Sequence, residues 1–580
     1  MNFYTKRQQL EILRSQLDNE RSTFTAHWRD LSDYVQPRRA RFYTSDVNKG
    51  DRRNQKIIDS TATMALRTLR SGMMSGVTSP ARPWFRLTTG EPQLAEVGAV
   101  KVWLSQVQHI LQTSFLKSNL YNTLPTVYGD LGLFGTAAMS IEEDFNGDVI
   151  YTQSFPIGSY MIAKNNVGRV DTFVREFRMT VQQVVQQFGI EPGASEIDWS
   201  NISAYVKNLW DIGQTQQWVE IVHVICPNWN YKPNRLESRF KKYLSCYYER
   251  GLSANTSQGY LQDGDGEKLL SEKGYDYFPV LCPRWETTGE DVYGTDCPGM
   301  LALGDVKQLQ LGERRLMEAI EKMIRPPMKA PASMKNQSAS ILPGDITYMA
   351  NDQLADSFRP VHEVNFRINE MEMKQEQVRR RIQRAFFEDL FLMLASSDRR
   401  QITAREIEER HEEKLLALGP VLEQLNQDLL DPLIDIAFDI HLRQGLLPEA
   451  PEELQGMDLK VEYVSIMAQA QKLVGLAGIE RFAGFAGQIA QFDPSVLKKV
   501  KAQQMIDVYA DVVSIDPSII RTDEEVQAME AAEADQALRA QQAQEAVAMA
   551  NTAKTLSEVP MEGDSALNRM LDVARAGSLG

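Results

Sequence analysis

Three observations predict an α+β fold, mainly helical, for this chain of 580 residues. Apolar residues recur at three- and four-residue steps near both ends and through 298–445, the period of helices with one buried stripe. Between 136 and 290 that period gives way to short β-branched and aromatic runs separated by tight-turn residues. From 298 to 401, two helical patterns flank a proline-punctuated insertion, so the chain leaves and re-enters one body as a stalk with a module at its tip.

In chain order, residues 5–32 read as an amphipathic helix on Leu10, Leu13, Leu17, Phe24, Trp28 and Leu31. A polar loop flanked by Pro37-Arg38-Arg39-Ala40-Arg41 and Arg52-Arg53 follows. Its basic residues suit a solvated loop first, and otherwise nucleic acid or an acidic neighbour. A second helix starts after Asp59 or Ser60 and runs through Leu66, Leu69 and Met73 to Gly76. The stretch Pro80–Pro83 ends it and leads to a short apolar segment at Trp84–Leu87. Helices are predicted over 97–120 and 122–134, the latter closed by Gly135. Then Ala137–Glu143 and Val149–Phe155 flank Asn146-Gly147, and Tyr160–Ala163 and Arg169–Met179 flank Asn165-Asn166-Val167-Gly168, giving two hairpins. Thr180 caps a short helix ended by Gly189, and Trp218–Cys226 and Phe240–Glu249 are two more strands.

The stalk begins with a helix on Leu303, Val306, Leu309, Leu316 and Ile320, stopped at Arg325-Pro326-Pro327 because proline lacks the amide donor and restricts the residue before it. The insertion 326–363 carries turn signals at Pro331, Pro343-Gly344 and Pro360, with a strand at Asp345–Met349. A long helix follows over about 365–394. At 100° per residue, Met371, Val378, Ile382, Ala385, Phe386 and Leu390 share one face. Lys374, Arg380, Arg381 and Arg384 fall on another, with Arg379 at the edge of the apolar arc. That basic strip reads either as a solvated face or as a surface beside a polyanion. Ser396-Ser397-Asp398-Arg399-Arg400-Gln401 is too polar for core, and Thr403 with Glu406 forms a capping box opening a helix to about 445, kinked at Pro432. After a linker at Gly445–Pro451 the C-terminal part reads as helical throughout. Thr522 and Glu525 open an Ala-, Gln- and Glu-rich helix to about Thr555, whose thin stripe is expected to pack against copies of itself.

Composition narrows the function. A net charge of −15 and 43% hydrophobic residues describe a chain with a sizeable core that is too acidic to coat DNA. No apolar run reaches the roughly 18 residues of a membrane span, and the N-terminus lacks a signal-peptide core. Cys226, Cys246, Cys282 and Cys297 form no CxxC pair, so reduced thiols rather than a zinc site are expected, three of them at strand ends or turns before proline. There is no phosphate-binding G-x-x-x-x-G-K-[ST], no HExxH and no G-x-S-x-G, so neither an ATPase nor a hydrolase is read, and no cofactor is called for. Asp263-Gly264-Asp265-Gly266 has the wrong glycine spacing for a calcium loop and reads as a hairpin tip.

Several segments jointly resemble a known family. They are Ile58-Asp59-Ser60-Thr61 with Ser75–Phe85, Asp130–Ala138, Gly168–Thr172, Pro283-Arg284-Trp285 with Gly289–Gly294, and Gln401–Ile407. In this order, over about residues 1–450, they resemble the portal, or head-to-tail connecting, proteins of T7-like short-tailed bacteriophages. The resemblance implies a ring, usually of twelve subunits, at one capsid vertex, with wing, stem, clip and crown regions around a DNA channel. On it, 1–135 is a helical wing, 136–290 a β-rich wing subdomain, 291–325 and 364–394 the stem helices and 326–363 the clip. Residues 395–402 become a tunnel loop, 403–450 a long wing helix and 451–580 a crown or barrel and tail.

The implied channel residues are Ser396, Ser397, Asp398, Arg399, Arg400 and Gln401 in the loop and Lys374, Arg380, Arg381 and Arg384 in the stem. Lys329, Lys335 and Asp345 would serve docking at the clip. Implied partners are copies of the chain, double-stranded viral DNA, the terminase large subunit, tail adaptor and tail tube proteins, and capsid and scaffolding proteins, without membrane contact. The location would be the portal vertex of the virion, after assembly in the host cytoplasm. Twelve copies at −15 would carry −180, a wall from which DNA is repelled except at sparse basic rings. The stem cations have another use, pairing with a neighbouring stem's Glu313 or Glu321. A non-portal structural adaptor or scaffold is the competing class.

Overall fold

The computed structural model describes residues 5–42, 50, 52–91, 97–144, 147, 149–190, 196–235, 237–250, 267–325, 328–329, 359–360, 367–396, 418–454, 459–463, 482–489, 500–501, 505–506 and 523–557. Helix α1 spans Lys6–Val35 and opens with a capping box in which Thr5 accepts from the Gln8 amide while the Gln8 side chain accepts from the Thr5 amide. It bridges two cores. Leu10 and Leu17 pack on one face of a sheet with Met161, Val174, Val222, Val224 and Leu244, whereas Trp28, Leu31 and Val35 enter the main core.

That main core is built on α2 (Thr61–Val77), α3 (Gly98–Lys117) and α4 (Leu120–Phe134). Helix α4 is buried on nearly every side, and Gly135 ends it at φ +77° with its amide donating to the Leu131 carbonyl. Strand β1 (Phe85–Thr89) lies between α2 and α3 in sequence.

The predicted hairpins form. Strands β2 (Ala138–Asp144) and β3 (Val149–Phe155) pair from Ala138↔Phe155 to Asp144↔Val149. Strands β4 (Tyr160–Lys164) and β5 (Val170–Thr180) begin a five-stranded antiparallel sheet. Short helix α5 (Val181–Val184), with Thr180 and Gln183 as its capping box, and α6 (Ala204–Asp211) lead to β6 (Trp218–Pro227), β7 (Tyr243–Glu249) and β8 (Ser271–Tyr275), giving the order β4-β5-β6-β7-β8. Phe240 ends a 3₁₀ turn rather than starting β7. Strand β9 (Val280–Leu281) adds to β2.

All four cysteines are free and buried, and burial pushes the Cys226, Cys246 and Cys297 thiols up to about 12. Cys226 and Cys282 lie at strand ends and Cys297 is the N-cap before Pro298. Helix α7 spans Pro298–Ile324, and β10 (Met328–Lys329) pairs antiparallel with β11 (Arg359–Pro360) where the insertion leaves and returns.

Two predictions are corrected here. The long helix after the insertion is two helices, α8 (Ile368–Ala385) and α9 (Glu388–Ser396), broken at Phe386-Phe387, where Phe387 takes φ +55°. Packing explains the break. The chain re-aims so that Phe386, Leu390 and Phe391 are all buried, and Phe391 lies against Gly72 of α2, where an added Cβ would sit 2.1 Å from its ring. The C-terminal part is not helical throughout either. Strand β12 (Leu459–Tyr463) pairs with β1 from Phe85↔Tyr463 to Thr89↔Leu459, across some 370 residues of sequence.

Where a kink is predicted at Pro432, a π-turn at Asn426–Leu430 runs directly into helix α10 (Asp431–Arg443), whose first turn holds the proline. Helix α11 spans Asp523–Ser557. The strand at Asp345–Met349, the capping box at Thr403 and the Asp263–Gly266 tip lie outside the described residues.

Candidate functional site

Helices α7 and α8 pack side by side and run antiparallel, as the pairing of β10 with β11 at their far ends requires. Val306 and Leu309 of α7 and Val378 and Ile382 of α8 are buried in the main core, so the hairpin is rooted there rather than standing alone. What locks it is polar. The Arg379 Nε donates to Asp59 Oδ2 at 2.9 Å and its Nη2 to Glu313 Oε1 at 2.6 Å, so one guanidinium ties α8 both to α7 and to the cap of α2. Asp59 also accepts from the Thr61 amide. Gln310, buried on α7, accepts from the Ile58 and Asp59 amides and donates back to the Asp59 carbonyl.

Burial alone would raise the Asp59 pKa, but hydrogen bonds from Thr61 and Arg379 together hold it below its ordinary value. The Asp59 hydrogen bond, opposed by burial and aided by the Asp59 and Glu313 charges, raises that of Arg379. A second pair, Arg381 Nη2 to Asp305 Oδ1 at 2.7 Å, joins the two helices nearer the start of α7. Beside the Arg379–Glu313 pair, on the side away from Arg381 and Asp305, lies a cleft of about 610 Å³ lined by Glu313, Glu372, Met373, Gln375, Arg379 and Arg380 among others.

The predicted stem cations divide accordingly. Lys374, Arg380, Arg381 and Arg384 are all exposed. Arg381 is held by Asp305 and Arg380 lies 3.5 Å from Glu376, while Lys374 and Arg384 show no ion pair among the described residues. By helical angle, Met373, Gln377, Arg380 and Arg384 line the face opposite Gln375, Val378 and Ile382. Ser396 ends α9, and Ser397, Asp398, Arg399, Arg400 and Gln401 lie outside the described residues, as do Lys335 and Asp345. Lys329 is placed by its backbone, paired with Arg359.

Sequence reasoning put Arg379 at an awkward edge and offered Glu313 to a neighbouring stem. The structure commits both to one intrachain lock. The polar Gln310 interrupting the apolar stripe of α7 was the available signal. Also missed were Arg314 and Arg315, exposed on α7.

A buried pair seats the turn Asn426–Leu430 on the β region. Arg284 donates Nε and Nη2 to the two Asp428 oxygens at 3.0 and 3.1 Å and Nη2 to the Gly168 carbonyl at 2.9 Å. Arg39 likewise grips buried Asp130 with both Nε and Nη2. These Arg284, Gly168 and Asp130 positions fall within the family-like segments, and all three serve internal assembly. No group of His, Cys, Asp and Glu among the described residues is arranged to hold a metal ion, and no described helix is long and apolar enough to cross a membrane.

Residues 7–520 match the family of bacteriophage head to tail connecting proteins. The chain is 47% identical over 572 residues to the portal protein of Salmonella phage epsilon15, covering 99% of each chain. It is 42% identical over 586 residues to the probable portal protein of Bordetella phage BPP-1, again covering 99% of each. The similarity thus continues well past residue 450, through β12 and beyond.

Proposed function

The chain belongs to the bacteriophage head to tail connecting protein family, and from that premise we propose that it is a portal subunit, a structural element of the particle that forms the ring joining capsid to tail. The observation that carries this is the near-complete alignment with two portal-named relatives, which leaves no large segment of either chain unmatched. In the ring, the α7–α8 hairpin is the stem, the 326–363 insertion the clip and 395–402 the tunnel loop, with DNA passing along the loop and the outward face of α8. The rooted, ion-paired hairpin supports this, because a stem must resist a moving polymer without melting.

The acidic total favours passage over grip, since each phosphate neutralised by Lys or Arg deepens binding and adds salt dependence. Arg399 and Arg400 approach the DNA first, then Lys374, Arg380 and Arg384, while Arg381 is partly engaged by Asp305. Lys329, Lys335 and Asp345 would meet the packaging machinery and later the tail. Twelve copies is the expected ring, with the virion vertex as its place and the host cytoplasm as the site of its assembly.

Light scattering on the purified full chain, with negative-stain microscopy, tests the premise. Rings with a central hole are expected, and a chain that stays monomeric under all assembly conditions returns the reading to an adaptor or scaffold. For the loop, Arg399→Gln with Arg400→Gln is expected to spare the ring and weaken DNA retention. Unchanged packaging, retention and ejection would remove the loop from the DNA path.

A further inference from the structure

The loop joining β6 to β7 is a built basic arm. From Asn228 to Tyr243 it carries Lys232, Arg235, Arg239, Lys241 and Lys242 against a single acid, Glu237, in a chain whose total is −15. Its backbone is held. The Asn228 amide donates to the Lys242 carbonyl and the Lys232 amide to the Phe240 carbonyl, while the Asn228 side chain donates to the Arg239 and Lys241 carbonyls at 2.9 and 2.8 Å. Lys232, Arg235 and Arg239 crowd the Phe240 ring at 4.9, 5.9 and 4.9 Å. Glu237 pairs with Arg235 and Arg239, and Asp276 with Lys241, leaving an excess of positive charge. Beside these cations Trp229 and Tyr231 stand 59% and 49% exposed. Trp, Tyr and Arg on a preorganised arm are the composition of a protein-binding anchor.

Helix α11 has the opposite problem. From Asp523 to Leu538 it carries Asp523, Glu524, Glu525, Glu530, Glu533 and Asp535 and no basic residue. At 100° per residue these acids are spread round the helix, so no apolar stripe exists to bury, and the described side chains from 531 to 548 are all exposed. Asp535 is met by Arg539 one turn on, and the other acids of this half have no basic residue among them in sequence. Its natural counter-surface is cationic.

We propose that the acidic first half of α11 docks on the Asn228–Tyr243 arm of a second copy of the chain, Trp229 and Tyr231 packing on its alanines while the arm's cations meet its carboxylates. The inference rests on the ring reading, which supplies the second copy, and on charge complementarity between the sequence of α11's first half and an arm whose Trp229 and Tyr231 are exposed.

A photo-crosslinking residue, p-benzoylphenylalanine, placed at Trp229 or at Tyr231 of the full chain tests it, with light scattering on the same sample. Irradiated rings are expected to yield a covalent dimer whose linked peptide falls within 523–540. Lys232→Glu with Arg235→Glu and Lys242→Glu should lower that yield at least tenfold, and Glu524→Lys with Glu525→Lys and Glu530→Lys in the same chain should restore it. Rings that give no crosslink, crosslinks within one chain, or crosslinks to another protein surface or to nucleic acid overturn the docking alone. A chain that forms no ring overturns the docking together with the ring reading beneath it.

Discussion

Arg379 shows how one side chain settles the relation of three elements. Its fork reaches Asp59 and Glu313, which are 12% and 17% exposed, so removing the cation strands two shielded carboxylates next to each other. Arg379→Met is expected to cost about 1–3 kcal/mol, less than a fully buried pair because Arg379 itself is 31% exposed. Arg379→Lys should recover only part, since an ammonium cannot serve both carboxylates with the guanidinium's planar geometry. Thermal melting of the variants checks both.

The sign of the pH dependence follows from Asp59. Its folded pKa lies below the ordinary 3.8, so the native state binds fewer protons there than the unfolded chain does. Its contribution is full above the unfolded value and is lost as pH falls through the lower folded one. Melting measured down through pH 3 should therefore drop less steeply for Asp59→Asn than for the unaltered chain.

Among the elements, the strongest sequence signals held where chemistry is local. The Thr180 cap, the hairpins of β2–β3 and β4–β5, and the glycine stop at Gly135 all depend on residues a few positions apart. Gly135 is required twice over, by φ +77° and by the Gly294 carbonyl that would lie 2.5 Å from an added Cβ. Gly135→Ala should cost about 2–4 kcal/mol from left-handed strain plus overpacking, read as a lowered melting temperature. Elements that depend on distant partners were not legible. Nothing near Leu459–Tyr463 names Phe85–Thr89 as its mate, and the break at Phe386-Phe387 is dictated by where α2 presents Gly72.

For the whole molecule, charge decides behaviour. On the proposed ring reading, the few cations on the outward face of α8 should leave duplex DNA bound weakly and with a shallow salt dependence. Neutralising Arg380 and Arg384 to Gln should reduce the slope of log K against log salt by about 0.9 for each phosphate that no longer meets a cation. Ring size should not change, because neither residue roots the hairpin: Val306, Leu309, Val378 and Ile382 do. Filter binding across a salt series, with light scattering as the control, measures both.

By itself the sequence determined the mixed fold, the two helices either side of the insertion and, through several segments in order, the family. These are carried by period, turn chemistry and motif, which neighbouring residues specify. Tertiary structure alone decided that Arg379 and Glu313 belong to one internal lock, that Arg284 seats Asp428, and that the chain's late strand completes its early one. Ion pairing and strand pairing act through space over a few ångströms, and the separations along the chain, 66, 144 and some 370 residues, leave no local trace of them.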